Sequence, residues 1–572
     1  MNAVLPRLNT LPEHLDLRDW DRFGPELEGL ADQPIDLATA ADWLRRWSDL
    51  AIRIAEAAAL ISIEHSRDTQ DPQRKADYLF LITELLPRLR PIEQRLKQRL
   101  LASGYSEPGL EPSLRQFASD AELFRLENVP LLAEEQATAS RYDEIVGGMT
   151  VDFAGGSRTL SQLQPYLSLP DRSQRQAAWE ARQSAYDAES EALDTLYESL
   201  LPLRERIAEQ AGRPSYIDYR WRQLGRFDYS PADAQRFHAS IRASFTPALA
   251  RRAARKAARL GLPALRPWDS EVDPRGGRAL QPFRTGEELA ETGARVLGQV
   301  GPVLGERLST LQAEGLLDLD NRKNKAPGGY CSTLHARGLP FIFMNAVGTD
   351  DNMRTMLHEA GHAFHAYEAG QLPLIWQRGA PMEFCEVASM SMELLASPYI
   401  GRDTGGFYDP DEAIRSRLQH LERMIDFMPY MATVSAFQHW VHEHPGHSRS
   451  ERHAAWFGLH ADLCVGADWT GLESARMRLW HQKLHIFRAP FYYIEYGIAQ
   501  LGALQVWRAS KIDPEATLAR YLDALALGGT RSLTELFRAA GAELIWDAEP
   551  MAELVALVEA EIDALESSLT PA

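Results

Sequence analysis

The sequence predicts a mainly α-helical protein built from two lobes. Three observations lead there. Apolar side chains recur at three- and four-residue steps over long stretches, as they do on one face of a helix. Alternating, strand-like segments are confined to two short places. The chain has 572 residues, more than one hydrophobic core usually organises.

In chain order, helical periodicity is clearest over residues 39–101, 173–211 and 286–314. Residues 149–160 (MTVDFAGGSRTL) read as a hairpin turning at Gly155-Gly156. A second strand pair is expected over residues 328–345, where GGYCSTL and PFIFMN flank a turn at Ala336-Arg337-Gly338. Turn-rich segments fall at 265–283 and 401–410. The expected division is an N-terminal helical lobe, residues 1–200, and a catalytic lobe, residues 201–572.

Composition narrows the function. A net charge of -19 repels nucleic acid at long range, so no nucleic-acid partner is expected. The basic run at 251–259 reads as a solvated helix face. Cys331, Cys385 and Cys464 are odd in number and far apart, a pattern suited to a reducing compartment and to small buried hydrophobes. The N-terminus lacks a cationic start followed by an apolar run, and the most apolar early stretch, 51–63, is interrupted by Arg53 and Glu56. A cytoplasmic protein with no membrane partner is expected.

The chemistry concentrates in residues 348–370, GTDDNMRTMLHEAGHAFHAYEAG. Thr349 is a good N-cap, Asp350 and Asp351 suit the positive end of a helix, and Gly370 is a natural stop. His358 and His362, four apart, project from one face and can bind one ion, with zinc the metal that neutral imidazole suits. Glu359 is rotated from that face yet near enough to take a proton from an attacking water and return it to the leaving amine.

A catalytic zinc usually has a third protein ligand. Signatures with a close third histidine need Gly at 365 and His at 368; this chain has His365 and Glu368, so the helix continues and His365 is a packing or supporting residue. The next candidates lie in residues 381–398, a helix between two prolines whose small Ala388 and Ser389 permit close approach. Glu386 is the expected ligand. Glu393, seven residues on, is placed to orient His362, while Glu383 and Glu393 could equally be surface charge. Further on, HIFRAPFYYIEYG (485–497) should start a helix at Pro490 that carries Tyr492, Tyr493 and Tyr496. Composition alone makes such an aromatic cluster core packing, though phenols and an imidazole could also stabilise an oxyanion.

Taken together, RKNKAPGGYCSTL (322–334), PFIFMNAVGT (340–349), HEAGHAFH (358–365), EFCEVASMSME (383–393) and HIFRAPFYYIEY (485–496) resemble the peptidase family of oligoendopeptidase F and thimet oligopeptidase. YIDYRWRQLGRFDYSP (216–231) and LRPWDSEVDP (265–274) resemble its bacterial branch. The resemblance covers roughly residues 140–510. It implies a two-lobed helical body around a deep central substrate channel, with one zinc per chain at its floor and a small β-sheet beside it. It implies Glu386 as third ligand, His485 and Tyr496 as transition-state donors, and Tyr493 or Tyr492 as a further contact in the site. Gly328, Gly329 and Tyr330 correspond to a strand edge and loop that touch substrate backbone. The activity implied is endopeptidase cleavage of short oligopeptides; a dipeptidyl carboxypeptidase on the same scaffold, or a non-catalytic peptide-binding protein, would share these features. Oligomeric state is not read from the sequence.

Overall fold

The computed structural model describes residues 15–569. Helices dominate, and among the described residues two small sheets complete the fold. In the first, β1 (Thr150–Phe153) pairs antiparallel with β2 (Gly156–Thr159). Its turn is Ala154-Gly155, both with positive φ, one residue earlier than the two glycines suggest; Gly156 already pairs with Phe153. The second sheet has three strands in the order β3-β5-β4. Here β4 (Tyr330–Leu334) and β5 (Leu339–Ala346) form the expected antiparallel pair. A strand the periodicity did not reveal, β3 (Leu317–Asp320), lies parallel to β5.

Two large apolar clusters organise most of the helices, and a small third one gathers Leu167, Trp179 and Trp268. Of the two large ones, the smaller runs from Leu17 to Phe117 and takes in Leu374; the larger holds the sheet, the histidine helix and the C-terminal helices. Helix Ala40–Arg67 joins them, with Leu44, Trp47 and Leu50 in one and Leu60 and Ile63 in the other. Its polar residues grip the three-stranded sheet. Glu56 accepts the backbone N–H groups of Ala336 and Arg337 in the β4–β5 turn. At the helix end, Arg67 meets Asp318 of β3 at 3.0 Å, and Lys325 reaches the same carboxylate at 2.9 Å. Helix Ser190–Gln210 runs through residue 200 without a break. The basic run at 251–259 is not a free face: Arg251, Arg255 and Arg259 pair with Glu559, Asp563 and Glu566 of the last helix, Ala548–Ser567.

Three helices form the floor of the site: Asp350–Ala369, Met382–Ala396 and Ile494–Ser510. Their contacts are backbone-close. A Cβ on Gly361 would lie 2.6 Å from Cα of Ser389, and one on Gly502 would lie 2.8 Å from the Val387 side chain. Glycine at each point is what permits the approach. Among the described residues no helix is long and apolar enough to cross a membrane.

Candidate metal centre and active site

The first helix is capped as its sequence predicts. Thr349 Oγ1 accepts the N–H of Asn352, whose side chain accepts the N–H of Thr349 in return, and Gly370 follows the last turn. Asp350 does more than favour the helix dipole: it is buried, accepting the Tyr408 hydroxyl at 2.8 Å and lying beside Arg354.

His358 and His362 project from one face, ring centroids 5.0 Å apart. The neighbouring helix brings Glu386 Oε2 to 3.2 Å from Nε2 of His358 and 3.4 Å from Nε2 of His362. The three ligand atoms lie within 4.8 Å of one another. Two imidazole nitrogens and one carboxylate oxygen converging in this way are a donor set that fits zinc. Ser389 Oγ also donates to Glu386 Oε2, at 2.9 Å, and the Tyr492 hydroxyl donates to Oε1 at 2.5 Å.

The supporting carboxylate differs from expectation. Glu393 contacts Nδ1 of His358, not His362, and its other oxygen meets Nε2 of His420. Nor are Glu383 and Glu393 surface charges. Glu383 is buried, accepts the Tyr229 hydroxyl at 2.5 Å, lies 3.7 Å from Arg226, and is not part of the group that His358, His362 and Glu386 form. His365 is buried with its ring edge-on to Phe384.

Glu359 is buried beside this cluster, and Oε2 has no hydrogen-bond partner among the described residues. Burial pushes its carboxyl above the usual range. Gly329 passes directly over it: a Cβ there would lie 3.2 Å from Glu359 Oε1. Gly328, exposed and with φ +92°, holds its carbonyl on the Asn345 amide. Tyr330 has its ring stacked on Phe343 and its hydroxyl buried, and the strand it begins, β4, lies at the edge of its sheet.

The tyrosine helix begins at Ile494, not at Pro490. Phe491 explains the delay. It adopts φ +65°, uncommon for a residue with a Cβ, with its N–H held by Gln438 and its carbonyl by Arg226 at 2.6 Å. The resulting corner sends the adjacent tyrosines apart. Tyr492 reaches Glu386, whereas the Tyr493 hydroxyl meets Lys483 at 3.1 Å. Tyr496, half-buried, has its hydroxyl 3.3 Å from Nε2 of His485. Burial, with Lys483 nearby, holds His485 down at about 3, so its ring is neutral at pH 7. The supporting residues His420, Gln438, Ser389 and Lys483 carry no spacing signal in the sequence; Arg226 lies in the GRFDY stretch noted for its resemblance.

One other His/Asp group exists among the described residues, Asp194 with His453 and His481. There the Arg452 guanidinium stands 3.2 Å from the same carboxylate oxygen that faces both rings, so the group works as a salt-bridged strut.

Known proteins resemble this chain over most of its length. The family model described as Peptidase family M3 matches residues 166–553. The chain belongs to peptidase family M3. A second model, the Peptidase M3 N-terminal domain, matches residues 16–123 of this M3 chain. Oligopeptidase PepF of Bacillus subtilis (strain 168) is 24% identical over 284 residues, a match spanning 46% of the M3 chain and 40% of that protein. An X-ray structure assigned as oligoendopeptidase F superposes with a TM-score of 0.91 at 27% identity, covering 97% of this chain and 98% of that one. PZ peptidase A with an inhibitor gives 0.90 at 25%, covering 97% and 99%. The resemblance read from the sequence motifs is borne out at the level of family and fold.

Proposed function

We propose that this chain is a zinc-dependent endopeptidase of short, unstructured peptides. One observation carries the reading: His358, His362 and Glu386 converge on one point with the unpartnered, buried Oε2 of Glu359 beside them. Bound there, zinc would polarise the scissile carbonyl and make water more acidic. Glu359, its proton affinity raised by burial, accepts a proton from the attacking water and delivers it to the leaving amine. His485, neutral, and Tyr496 donate hydrogen bonds to the carbonyl oxygen as it gains charge. Tyr492 fixes the carboxylate of Glu386. The backbone at Gly328, Gly329 and the free edge of β4 aligns the peptide; a side chain at 329 would press on Glu359. Tyr493, on Lys483, lines the wall of the site.

Two recesses, of about 640 Å³ and 240 Å³, are walled by residues that touch the site, Phe427 and Lys483 in the larger and Asn345 in the smaller, and both include Arg182 and Gln482. They support a channel open to extended chains and closed to folded ones. Three unpaired cysteines suit work in a reducing compartment. The test is mass spectrometry of products from peptides blocked at both ends, with and without a chelator. Internal cleavage abolished by chelation supports the reading; cleavage only of peptides with a free C-terminus would reassign the chain as a dipeptidyl carboxypeptidase.

A further inference from the structure

The larger recess carries the wrong charge for its protein. The chain bears a net charge of -19, yet six basic side chains against four acidic ones line this cavity. Arg252, Arg266 and Arg423 are each held by an aspartate, and Lys256 donates to the Ser270 carbonyl. Arg182 and Lys483 have no carboxylate partner among the described residues. Arg182 donates only to the Gln482 side chain, at 3.2 Å, and Lys483 only to the Tyr493 hydroxyl. Both are half-buried, so a charge placed against them is screened less than at an open surface.

Position ties these cations to the reaction site. Arg182 stands where the two recesses meet, and the smaller one contains no carboxylate in its lining at all. Lys483 lies two residues before His485, with its ammonium 4.6 Å from the ring centroid of Tyr493. Phe427, another wall residue, lies against Tyr496 with centroids 6.5 Å apart. Asp351 lines the same recess and precedes His358 by seven residues on the same helix face. Seven residues of helix span about 10 Å, so the near wall of the recess begins about three residues of extended peptide from the metal ligands.

We propose that Arg182 and Lys483 receive a carboxylate of the substrate, making this chain selective for peptides that carry an anionic group about three residues from the bond cut. This rests on the peptidase reading above. The carboxylate is either the peptide's C-terminus or the side chain of Asp or Glu, since a guanidinium and an ammonium recognise both.

Four peptides of one core sequence separate these sources: free acid or amide at the C-terminus, combined with Glu or Gln three residues from the scissile bond. Turnover is measured at low and high salt, and binding by calorimetry to the metal-loaded enzyme carrying Glu359→Gln. Carboxylate-bearing peptides should gain about tenfold in kcat/KM, mostly through KM, with the gain shrinking in salt. Arg182→Met should bring the ratio of acidic to neutral peptides close to one, Arg182→Lys should keep part of it, and Lys483→Met should lower it independently. The arm that gains, C-terminal or side-chain, identifies the source. Equal kcat/KM for all four peptides overturns the proposal while leaving the peptidase reading intact. Preferential binding of the acidic peptides without any turnover by the wild-type enzyme would uphold the proposal and remove that reading instead.

Discussion

The carboxylate of Glu393 stands 2.8 Å from Nδ1 of His358. A carboxylate at that nitrogen keeps the ring's proton on Nδ1 and turns the lone pair of Nε2 toward Glu386 and His362. Glu393→Ala should therefore weaken zinc binding by about 10- to 100-fold, measured by competition with a chelator of known affinity. His420→Ala, one contact further out, should have a smaller effect. Unchanged zinc affinity in the Glu393 variant would show that the contact does not orient the ligand.

Glu359→Gln should keep its zinc and lose a factor of about 10²–10⁴ in kcat, because the amide fills the same space and cannot accept a proton. Gly329→Ala offers an independent probe, pressing a methyl toward Oε1 without removing it. Near-normal kcat for Glu359→Gln, with contamination excluded, would remove Glu359 from the reaction.

The corner at Phe491 separates the three tyrosines by experiment. Tyr496→Phe should cost about 10²–10³ in kcat with little change in KM, the signature of a donor used mainly in the transition state. Tyr492→Phe should also loosen zinc, since it releases Oε1 of Glu386. Tyr493→Phe loses only its contact with Lys483 and should change kcat by less than about tenfold. Zinc content and steady-state kinetics on all three settle the order, and a Tyr493→Phe loss exceeding that of Tyr496→Phe would reverse the assignment.

Acid should destabilise the fold well above the pH at which carboxylates titrate. Burial lowers His65 to about 4 and His238 and His460 to about 3, each neutral inside the protein. His460 Nδ1 moreover accepts the Arg476 Nε–H, which a protonated ring cannot do. Unfolded histidine titrates near 6.5, so between about pH 6.5 and 4 the unfolded chain binds protons that the folded one excludes. Stability is full above pH 7 and falls as the pH drops, by about 2 kcal/mol per such histidine at pH 5. Urea unfolding at pH 7 and pH 5 reads this directly, and coincident midpoints would show that these rings protonate without penalty.

Local signals were enough to place the catalytic helix. Thr349, two aspartates and Gly370 mark its ends, and two prolines bracket the Glu386 helix, so both are found within a residue or two. Tertiary choices were not legible. Helical spacing puts Glu393 on the same face as Glu386, but the crossing of two helices decides that it meets His358 and not His362. The late start of the tyrosine helix was invisible because a phenylalanine, with no glycine beside it, takes the left-handed conformation. What stabilises it comes from far along the chain: Gln438 on its N–H and Arg226 on its carbonyl. Strand β3 is only four residues long and carries two aspartates, one of which serves as the hub for Arg67 and Lys325.

The glycine contacts under the site bear on how a substrate can enter. With Gly361 against Ser389 and Gly502 against Val387, the three floor helices leave no gap along which they could slide. The ligands and Tyr496 ride on those helices, so they travel as one rigid body. Any motion that opens the cleft must then leave this trio intact and take place in the elements around it. Gly329, next to the first residue of β4 and not on the trio, reaches Glu359 from a separate element, so the general base is where such a motion would first be felt.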